Sequence, residues 1–368
     1  MNLKDIFCPN LACPDRGQMG DGNIGVHSQK DGRCICHTCG KTFAVTKGTA
    51  LYRLKQAHEL FVVVTTLLAY GCPVPAIVAA FGLDARTVMA WLRRAGTHCR
   101  GVHEHIIGRS QLDVQQVQAD EIKVKTQRGY YWMAMALMVS TRLWLGGVVS
   151  ARRDLALIKA LIAQVRRLAL CRPLLILVDG LVSYVHAVQQ AFRTPLHTGT
   201  RGRPRLVAWP DVAIAQVVKQ RTATGLYIVR RLVQGCPAMA ATLLGRGVFN
   251  TAYIERLNAT FRQRLACLVR RTRALARTPS TLAYGMYLVG GVYNFCTDHH
   301  SLRLLLYVAT HYGHRRRWVP RTPAMATGLT DHRWSVHELL AFKVPPPPFV
   351  PAKRRGRPPK QILLEAAA

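Results

Sequence analysis

Acidic residues are scarce in this 368-residue sequence, which has 18 Asp and Glu against 51 Lys and Arg. The resulting formal net charge of +33 repels itself unless a polyanion is near, and it makes nucleic acid the expected partner. A sugar, a peptide or a small apolar substrate would not call for such an excess. A basic protein that is merely soluble is the alternative, although a small domain usually carries a net charge of about 2–8.

Long uninterrupted apolar segments are also lacking. The uncharged run Phe61–Leu83 contains Gly71, Pro73 and Pro75 in its middle, which is typical of two short helices around a turn rather than of a membrane span. The first residues do not read as a signal peptide, because charged residues occur there and no long apolar run follows. We therefore expect no membrane partner and a cytoplasmic, nucleoid-associated protein.

Cysteine is too sparse for a disulfide scaffold, since the chain has only 11 cysteines. Cys8 and Cys13 form a C-x4-C pair, and Cys36 and Cys39 form a C-x2-C pair. Four thiolates at this spacing can close around a tetrahedral Zn²⁺ ion, so we expect an N-terminal zinc-binding module. Cys34 is an alternative to Cys36, and unligated buried thiols are the alternative to a metal site.

The next segment has the pattern of a helix-turn-helix motif. Its apolar spacing predicts helices over Glu59–Tyr70, Val74–Phe81 and Ala85–Arg94. Gly82 suits the turn before the third helix, and Asp84 would cap that helix. Arg86 and Thr87 would then lie at its exposed start, where such motifs contact base edges. An ordinary three-helix packing unit is the alternative.

The following 200 residues alternate between strand-like and helical patterns. Strands are predicted over Leu112–Ala119, Tyr130–Val139, Leu143–Ser150, Leu174–Val178 and Val212–Val218. Helices are predicted over Asp154–Leu170, Val182–Phe192 and Asn250–Leu268. The expected fold class is therefore α/β, with a mixed sheet that begins as an antiparallel meander. Outside the strand at Val212, the segment 193–248 has no pattern that predicts its fold.

Three carboxylates fall where a divalent metal site would need them. Asp120 follows the first strand of this region, Asp179 follows the buried strand, and Glu255 lies early on the last helix. Mg²⁺ or Mn²⁺ prefers carboxylate oxygens, and two ions about 4 Å apart can activate a nucleophile and stabilise the leaving oxygen of a phosphodiester. Singly, each residue has a structural alternative as a strand-end cap, a turn or an ion pair. Glu121 is the main rival to Asp120, because neighbouring strand residues point to opposite faces.

The residues around these acids resemble the DDE transposases of bacterial insertion sequences, most closely the insertion-sequence-1 family. The resemblance covers roughly residues 8–310 and lies in Val117–Glu121, Leu177–Gly180 and Tyr253–Arg262. Its most specific part is I-E-R-x-N-x-x-x-R, which begins at Ile254. The chain departs from the family at Ile122, where members often carry an aromatic residue shortly after the Asp-Glu pair.

The resemblance implies a ribonuclease H-like catalytic domain preceded by a zinc module and a helix-turn-helix domain. The implied metal ligands are Asp120, Asp179 and Glu255, and the implied DNA contacts on the last helix are Arg256, Asn258 and Arg262. The expected domains are residues 1–50 (zinc), 51–100 (helix-turn-helix), 101–310 (catalytic) and 311–368 (a basic, proline-rich tail).

The tail contains a segment similar to an AT-hook. Arg355 and Arg357 belong to an R-R-G-R-P-P-K run, and extended Arg-Gly-Arg-Pro can lie in a narrow A·T minor groove. A solvated basic tail that binds the DNA backbone without preference is the alternative. Residues 201–205 repeat the core of the run and are expected to form a loop that touches phosphate.

The expected function is that of an insertion-sequence transposase that binds terminal inverted repeats and then cleaves and joins DNA. Its expected cofactors are Mg²⁺ (or Mn²⁺) in the catalytic site and Zn²⁺ in the N-terminal module. Double-stranded DNA is the expected partner, paired ends imply at least a homodimer, and no small-molecule substrate is expected. A non-catalytic DNA-binding regulator derived from a transposase and a ribonuclease H-like nuclease are the alternatives.

Overall fold

The structure is a computed structural model that describes residues 3–127, 129–196, 199, 202–222, 225–272, 274–310 and 313–351. Its internal contacts divide the chain into two compact units. One unit comprises the described residues up to Gly48 together with those from Pro345 onward, and the other is Thr49–Val344. The domain boundaries expected at residues 50, 100 and 310 stay predictions.

A small antiparallel sheet forms the centre of the first unit. Its strands are β1 (Ile24–Ser28), β2 (Arg33–Cys36) and β3 (Thr42–Ala44), in the order β1-β2-β3. Cysteine side chains form part of the small buried core that covers this sheet. Arg16 Nε donates a hydrogen bond of 2.6 Å to the carbonyl of Pro347, which ties the proline-rich segment to the unit.

The second unit begins with three helices: α1 (His58–Ala69), α2 (Val74–Phe81) and α3 (Ala85–Ile106). The first two agree with the predicted helices, whereas the third continues well beyond Arg94. It continues because Ala95, Cys99 and Val102 extend its buried face at helical spacing. Among the described residues no single helix is long and apolar enough to cross a membrane. Among the described helices, α2 and α3 are long and apolar enough only when taken together, and they are bent by 117°.

The elements after α3 alternate between strands and helices. In chain order they are β4 (Gln116–Thr126), β5 (Gly129–Met138), β6 (Trp144–Ser150), α4 (Leu155–Leu168), β7 (Leu174–Val178), α5 (Val182–Ala191), β8 (Arg193–Leu196), β9 (Arg205–Ala208), β10 (Val212–Thr222), β11 (Gly225–Gln234), α6 (Pro237–Leu244), α7 (Ala252–Arg264), α8 (Pro279–Gly291), β12 (Leu304–Thr310), β13 (Gly313–Val319), α9 (Pro323–Ala326) and α10 (Val336–Ala341).

Six of these strands form one mixed sheet in the order β11-β10-β7-β4-β5-β6. β4, β5 and β6 are an antiparallel meander, β7 runs parallel to both β4 and β10, and β11 is antiparallel to β10. Every residue of β7 is buried, as expected for a central parallel strand. The expected α/β class with a mixed sheet is therefore confirmed.

Besides α3, three predicted elements have clearly different bounds in the structure, and the strand predicted over Val212–Val218 continues to Thr222. The first strand of the sheet is β4 rather than Leu112–Ala119, because Ile122 and Val124 are buried and alternate with exposed lysines. Asp120 therefore lies inside a strand and does not cap its end. The last predicted helix is also shorter: α7 ends at Arg264 and is followed by a single 3-10 turn at Ala266–Leu268.

Helices cover both faces of the sheet, and side chains of β4 reach helices on each face. Gln118 Oε1 accepts a hydrogen bond of 2.9 Å from the backbone N–H of Ile254 on α7. Glu121 Oε2 accepts one of 2.8 Å from the Tyr184 hydroxyl on α5. The middle of β4 is thus held from α7 on one side and from α5 on the other, which fixes the acidic side chains described next.

Candidate functional site

Four cysteines of the N-terminal unit come together as predicted. The Sγ atoms of Cys8, Cys13, Cys36 and Cys39 all lie within 4.8 Å of one another. The Cys8–Cys39 and Cys13–Cys36 Sγ distances are 3.7 Å and 3.9 Å. Zn–S bonds of about 2.3 Å put the corners of a tetrahedron about 3.8 Å apart, so this set of thiols can bind Zn²⁺. Cys36, and not Cys34, is the member contributed by β2.

The surroundings of these cysteines shift their pKa values in opposite directions. Burial tends to raise the pKa of Cys39, but the backbone N–H of Lys41, the Asn10 side chain and the neighbouring thiols lower it to about 7. Burial raises the pKa of Cys8 and of Cys13. Because the thiolate is the ligand, a bound cation would displace these protons.

A second cluster, the acidic cluster, consists of Asp120, Glu121 and Asp179. One carboxylate oxygen from each lies within 4.8 Å of the other two. Asp120 and Asp179 meet because β4 and β7 are parallel neighbours that pair Gln118 with Leu177, and each acid lies two residues further along its own chain segment. The strand end of β7 therefore supplies Asp179 beside the middle of β4.

Arg153 and Tyr184 hold two members of the acidic cluster in position. Arg153 donates hydrogen bonds to Glu121 and, at 3.2 Å, to Asp179 Oδ2. The buried Tyr184 donates to the other oxygen of Glu121. Neither residue is among those predicted from the sequence. In the sequence, the one indication of a defined position for Arg153 is that it immediately precedes Asp154, whose side chain caps α4.

The pKa of Asp120 is raised to about 7. Burial is the largest cause, followed by the charge of Glu121, and the charges of Asp179 and Glu255 act in the same direction. The pKa of Glu121 is also raised, by burial first and then by Asp179, while Tyr184 and Arg153 oppose the shift. Repulsion among these carboxylates is what a divalent cation would relieve.

Asn258 of α7 lies directly beside Asp120. Its Nδ2 donates a hydrogen bond of 2.7 Å to Asp120 Oδ2, while its buried Oδ1 has no hydrogen-bond partner among the described residues. A water molecule on a cation at Asp120 could donate to that orphaned oxygen. Mg²⁺ binds carboxylate oxygens and keeps several waters, so the acidic cluster and Asn258 suit it.

Glu255 lies near the acidic cluster but does not belong to it. Its Oε1 accepts hydrogen bonds from Lys219 Nζ at 2.6 Å and from Thr251 Oγ1 at 3.0 Å. Together with Asp179 it lines an open cavity of about 460 Å³. The structure thus brings Asp120 and Asp179 together with Glu121, and it brings Glu255 to the neighbouring cavity.

The two arginines expected to contact DNA from α7 lie in different cavities. Arg262 lines a cavity of about 530 Å³ with Lys123, Lys125, Arg270 and other residues, and we call this the basic groove. Arg256 lines another cavity. These two arginines therefore face different surroundings, although both are on the same helix.

The third helix of the predicted helix-turn-helix motif begins where it is expected. Asp84 Oδ1 accepts a hydrogen bond of 2.7 Å from the backbone N–H of Arg86 and so caps α3. Arg86 is exposed and Thr87 is partly exposed at this first turn. Arg355 and Arg357 of the AT-hook-like segment lie outside the described residues.

Comparison with known proteins does not assign the chain to a family. No protein-family profile matches it. No curated protein matches it significantly either. The chemistry of the two clusters is therefore the basis for any assignment of function.

Zinc binding is expected to depend on Cys36 and not on Cys34. Purified wild-type protein and C34S should each contain about one zinc per chain, as one tetrahedral site requires, and C36S should contain little. Elemental analysis of the purified proteins measures this directly. Zinc retained by C36S and lost from C34S would show that the ligand set is wrong.

The raised pKa of Asp120 predicts a pH-dependent stability in buffer without divalent cations. Because the folded protein holds this proton up to about pH 7, its stabilising effect is complete below pH 4 and is lost as the pH rises through 7. Wild type should therefore lose stability from pH 5 to pH 8, whereas D120N should not. The unfolding free energy of D120N minus that of wild type should increase by on the order of 2 kcal/mol over this range. Urea denaturation at both pH values measures this increase. D211N, which changes an exposed carboxylate, is the control, and an equal change in both variants would contradict the prediction.

Proposed function

We propose that the chain is a transposase of an insertion sequence, similar to the insertion-sequence-1 family, with a ribonuclease H-like catalytic domain. The observation that carries the proposal is the meeting of Asp120, Glu121 and Asp179 at the end of the buried parallel strand β7. Such a carboxylate set is suited to divalent cations that act on phosphodiesters. A mixed sheet with an antiparallel meander next to parallel strands is consistent with the catalytic domain that the resemblance implies.

Positive charge beside the acidic cluster supports a nucleic-acid substrate. The basic groove contains Lys123 and Lys125 of β4, on the strand that carries Asp120, and Arg262 of α7. A polyanion bound in this groove would pass close to the carboxylates, which by themselves would repel it. The net charge of +33 already attracts a polyanion, whereas the acidic cluster repels it. The acidic cluster therefore has a role other than substrate attraction.

Divalent cations bound by Asp120 and Asp179, with Glu255 reaching in from the neighbouring cavity, would activate the attacking oxygen and stabilise the leaving oxygen of a phosphodiester. Arg153 fixes Glu121 and Asp179 relative to each other, and Asn258 fixes Asp120. Above pH 7 Asp120 is ionised and able to bind a cation. In the proposed sequence of steps, water attacks a phosphodiester and releases a 3′-hydroxyl, which then attacks a phosphodiester of the target DNA and displaces the target's own 3′-oxygen.

The remaining parts of the chain fit DNA recognition. The zinc module and the helix-turn-helix motif would bind the terminal inverted repeats as a dimer or larger assembly in the nucleoid. The 117° bend between α2 and α3 is within the range of such motifs, whose helices usually cross at about 90–120°. Arg86 and Thr87, at the start of α3, would then face the base edges.

Single substitutions in and near the acidic cluster test this function. D120N, D179N and E255Q should each lower metal-dependent cleavage and joining of terminal-repeat DNA about a thousandfold or more, because each removes a cation ligand. E121Q should lower them about tenfold, since both of its oxygens already accept hydrogen bonds and it acts through Arg153. Labelled DNA with Mg²⁺ or Mn²⁺, scored for binding, nicking and joining, measures all three steps.

DNA binding without cations should be unchanged in all four variants, which is the control for folding. Wild-type protein that binds ends but never nicks them would contradict the proposal and favour a DNA-binding regulator. Cleavage of branched or hybrid substrates without joining would favour a nuclease.

A further inference from the structure

A cavity separate from the acidic cluster carries positive charge and contains no carboxylate in its lining. It has a volume of about 330 Å³ and lies between the β5–β6 turn, α7 and the segment after α8. We call it the arginine cavity. Its charged or titratable lining residues are Arg142, Arg256, His299 and His300, with Tyr253 and Tyr293 beside them. This is a concave site with several hydrogen-bond donors and no anion of its own.

The two guanidinium groups of the arginine cavity have no anionic partner in the described part of the protein. Arg142 stacks over the Tyr253 ring, with its guanidinium carbon 3.7 Å from the ring centroid. Within the same part of the chain, neither guanidinium makes a hydrogen bond or an ion pair. Each guanidinium has five N–H donors, so both are available to a bound anion. Arg153, by contrast, is already occupied by two carboxylates.

The backbone at Arg142 shows that this position is unusual. Arg142 has a φ of +60°, the left-handed region in which glycine is the least strained residue. The β5–β6 turn nevertheless carries a long cationic side chain there, directed over Tyr253 and into the lining of the arginine cavity. Strained backbone of this kind often occurs at binding sites, where another interaction offsets its cost.

His299 adds a hydrogen-bond donor to the arginine cavity without adding charge. Burial lowers the pKa of His299 to about 4, and the charges of Arg256 and Arg142 act in the same direction. The ring is therefore neutral at pH 7 and can donate one hydrogen bond. The nearby Asp298 does not neutralise the arginines, since it pairs with Arg333 at 2.8 Å.

We propose that the arginine cavity binds one phosphate group of a nucleic-acid strand through the guanidinium groups of Arg142 and Arg256. Arginine forks bind phosphate oxygens in a bidentate manner, which suits a site with two of them. The identification of the strand as DNA rests on the proposed function.

The position of the arginine cavity on α7 explains why a strand would reach it. Arg256 directly follows Glu255, so the two side chains leave the helix about 100° apart on a cylinder about 10 Å across. A nucleic-acid strand carries one phosphate per about 3.4 Å of its helix axis. A strand that crosses α7 from the cavity lined by Glu255 and Asp179 therefore brings another phosphate to the arginine cavity. The site would hold the strand in register while its neighbouring phosphate reacts.

Binding of a short oligothymidylate at several salt concentrations tests the proposal. The slope of log Kd against log salt concentration should be about 0.7 lower for R142Q/R256Q than for R246Q. This difference corresponds to the loss of one phosphate contact with a single strand. R246Q is the matched control, because it removes an exposed arginine outside the cavity. Affinity should fall about tenfold, and inorganic phosphate should compete for the wild-type protein more strongly than for the double variant. Equal slopes and equal phosphate competition in R142Q/R256Q and R246Q would overturn the site.

Two further comparisons keep the result interpretable. R256Q alone removes an exposed guanidinium that makes no hydrogen bond in the described part of the chain, so it reports on the site even if the double variant does not fold. An oligonucleotide with neutral methylphosphonate linkages should bind both proteins equally, since it offers no charged phosphate.

If the slopes change as expected but wild-type protein never cleaves DNA, the arginine cavity stands and the proposed function fails. If wild-type protein cleaves DNA and the slopes do not change, the proposed function stands and the arginine cavity fails.

Discussion

Repulsion among carboxylates at the end of a buried strand is the interaction on which the site depends. β7 is buried along its whole length, so Asp179 is the first residue after it that can carry a charge. The parallel register with β4 sets Asp120 beside it, and Glu121 follows in the chain. One arginine, Arg153, offsets part of this charge, yet burial and then the neighbouring carboxylates still raise the pKa of Asp120 to about 7. A divalent cation would turn this unfavourable arrangement into a favourable one.

The acidic cluster is held from both faces of the sheet. Asp120 is bound by Asn258 of α7, and Glu121 is bound by Tyr184 of α5, so two adjacent residues of β4 are oriented by helices on opposite sides. The same α7 carries Glu255 toward one cavity and Arg256 toward another. The orientation of this helix therefore sets the spacing between the acidic and the cationic sites, which matters for any strand that crosses it.

Much of the sheet can be predicted from local pattern, because a strand that is buried on both faces needs a continuous apolar run. The run at Leu174–Val178 and the last two strands of the meander lie where the pattern predicts them. The extent of β4 cannot be predicted in the same way. Two adjacent acids interrupt its apolar pattern, and only pairing with β5 and β7 makes a continuous strand of it.

The candidate sites also differ in how far the local sequence predicts them. The four cysteines follow from their spacing, since two short knuckles determine the geometry of a tetrahedral site. Arg153, Tyr184 and Arg142 could not be found, because each acts through a contact with a residue far away in the chain. The inclusion of Glu121 also depends on tertiary structure: strand alternation points it away from Asp120, but the end of β7 lies close enough to reach both.

The most direct test of the central claim is to locate a bound cation. Anomalous diffraction from crystals grown with Mn²⁺ would show the ion without assuming any activity. We expect a peak within bonding distance of carboxylate oxygens of both Asp120 and Asp179, and its loss in crystals of D179N. A well-diffracting crystal at saturating Mn²⁺ with no peak at these carboxylates would contradict the account.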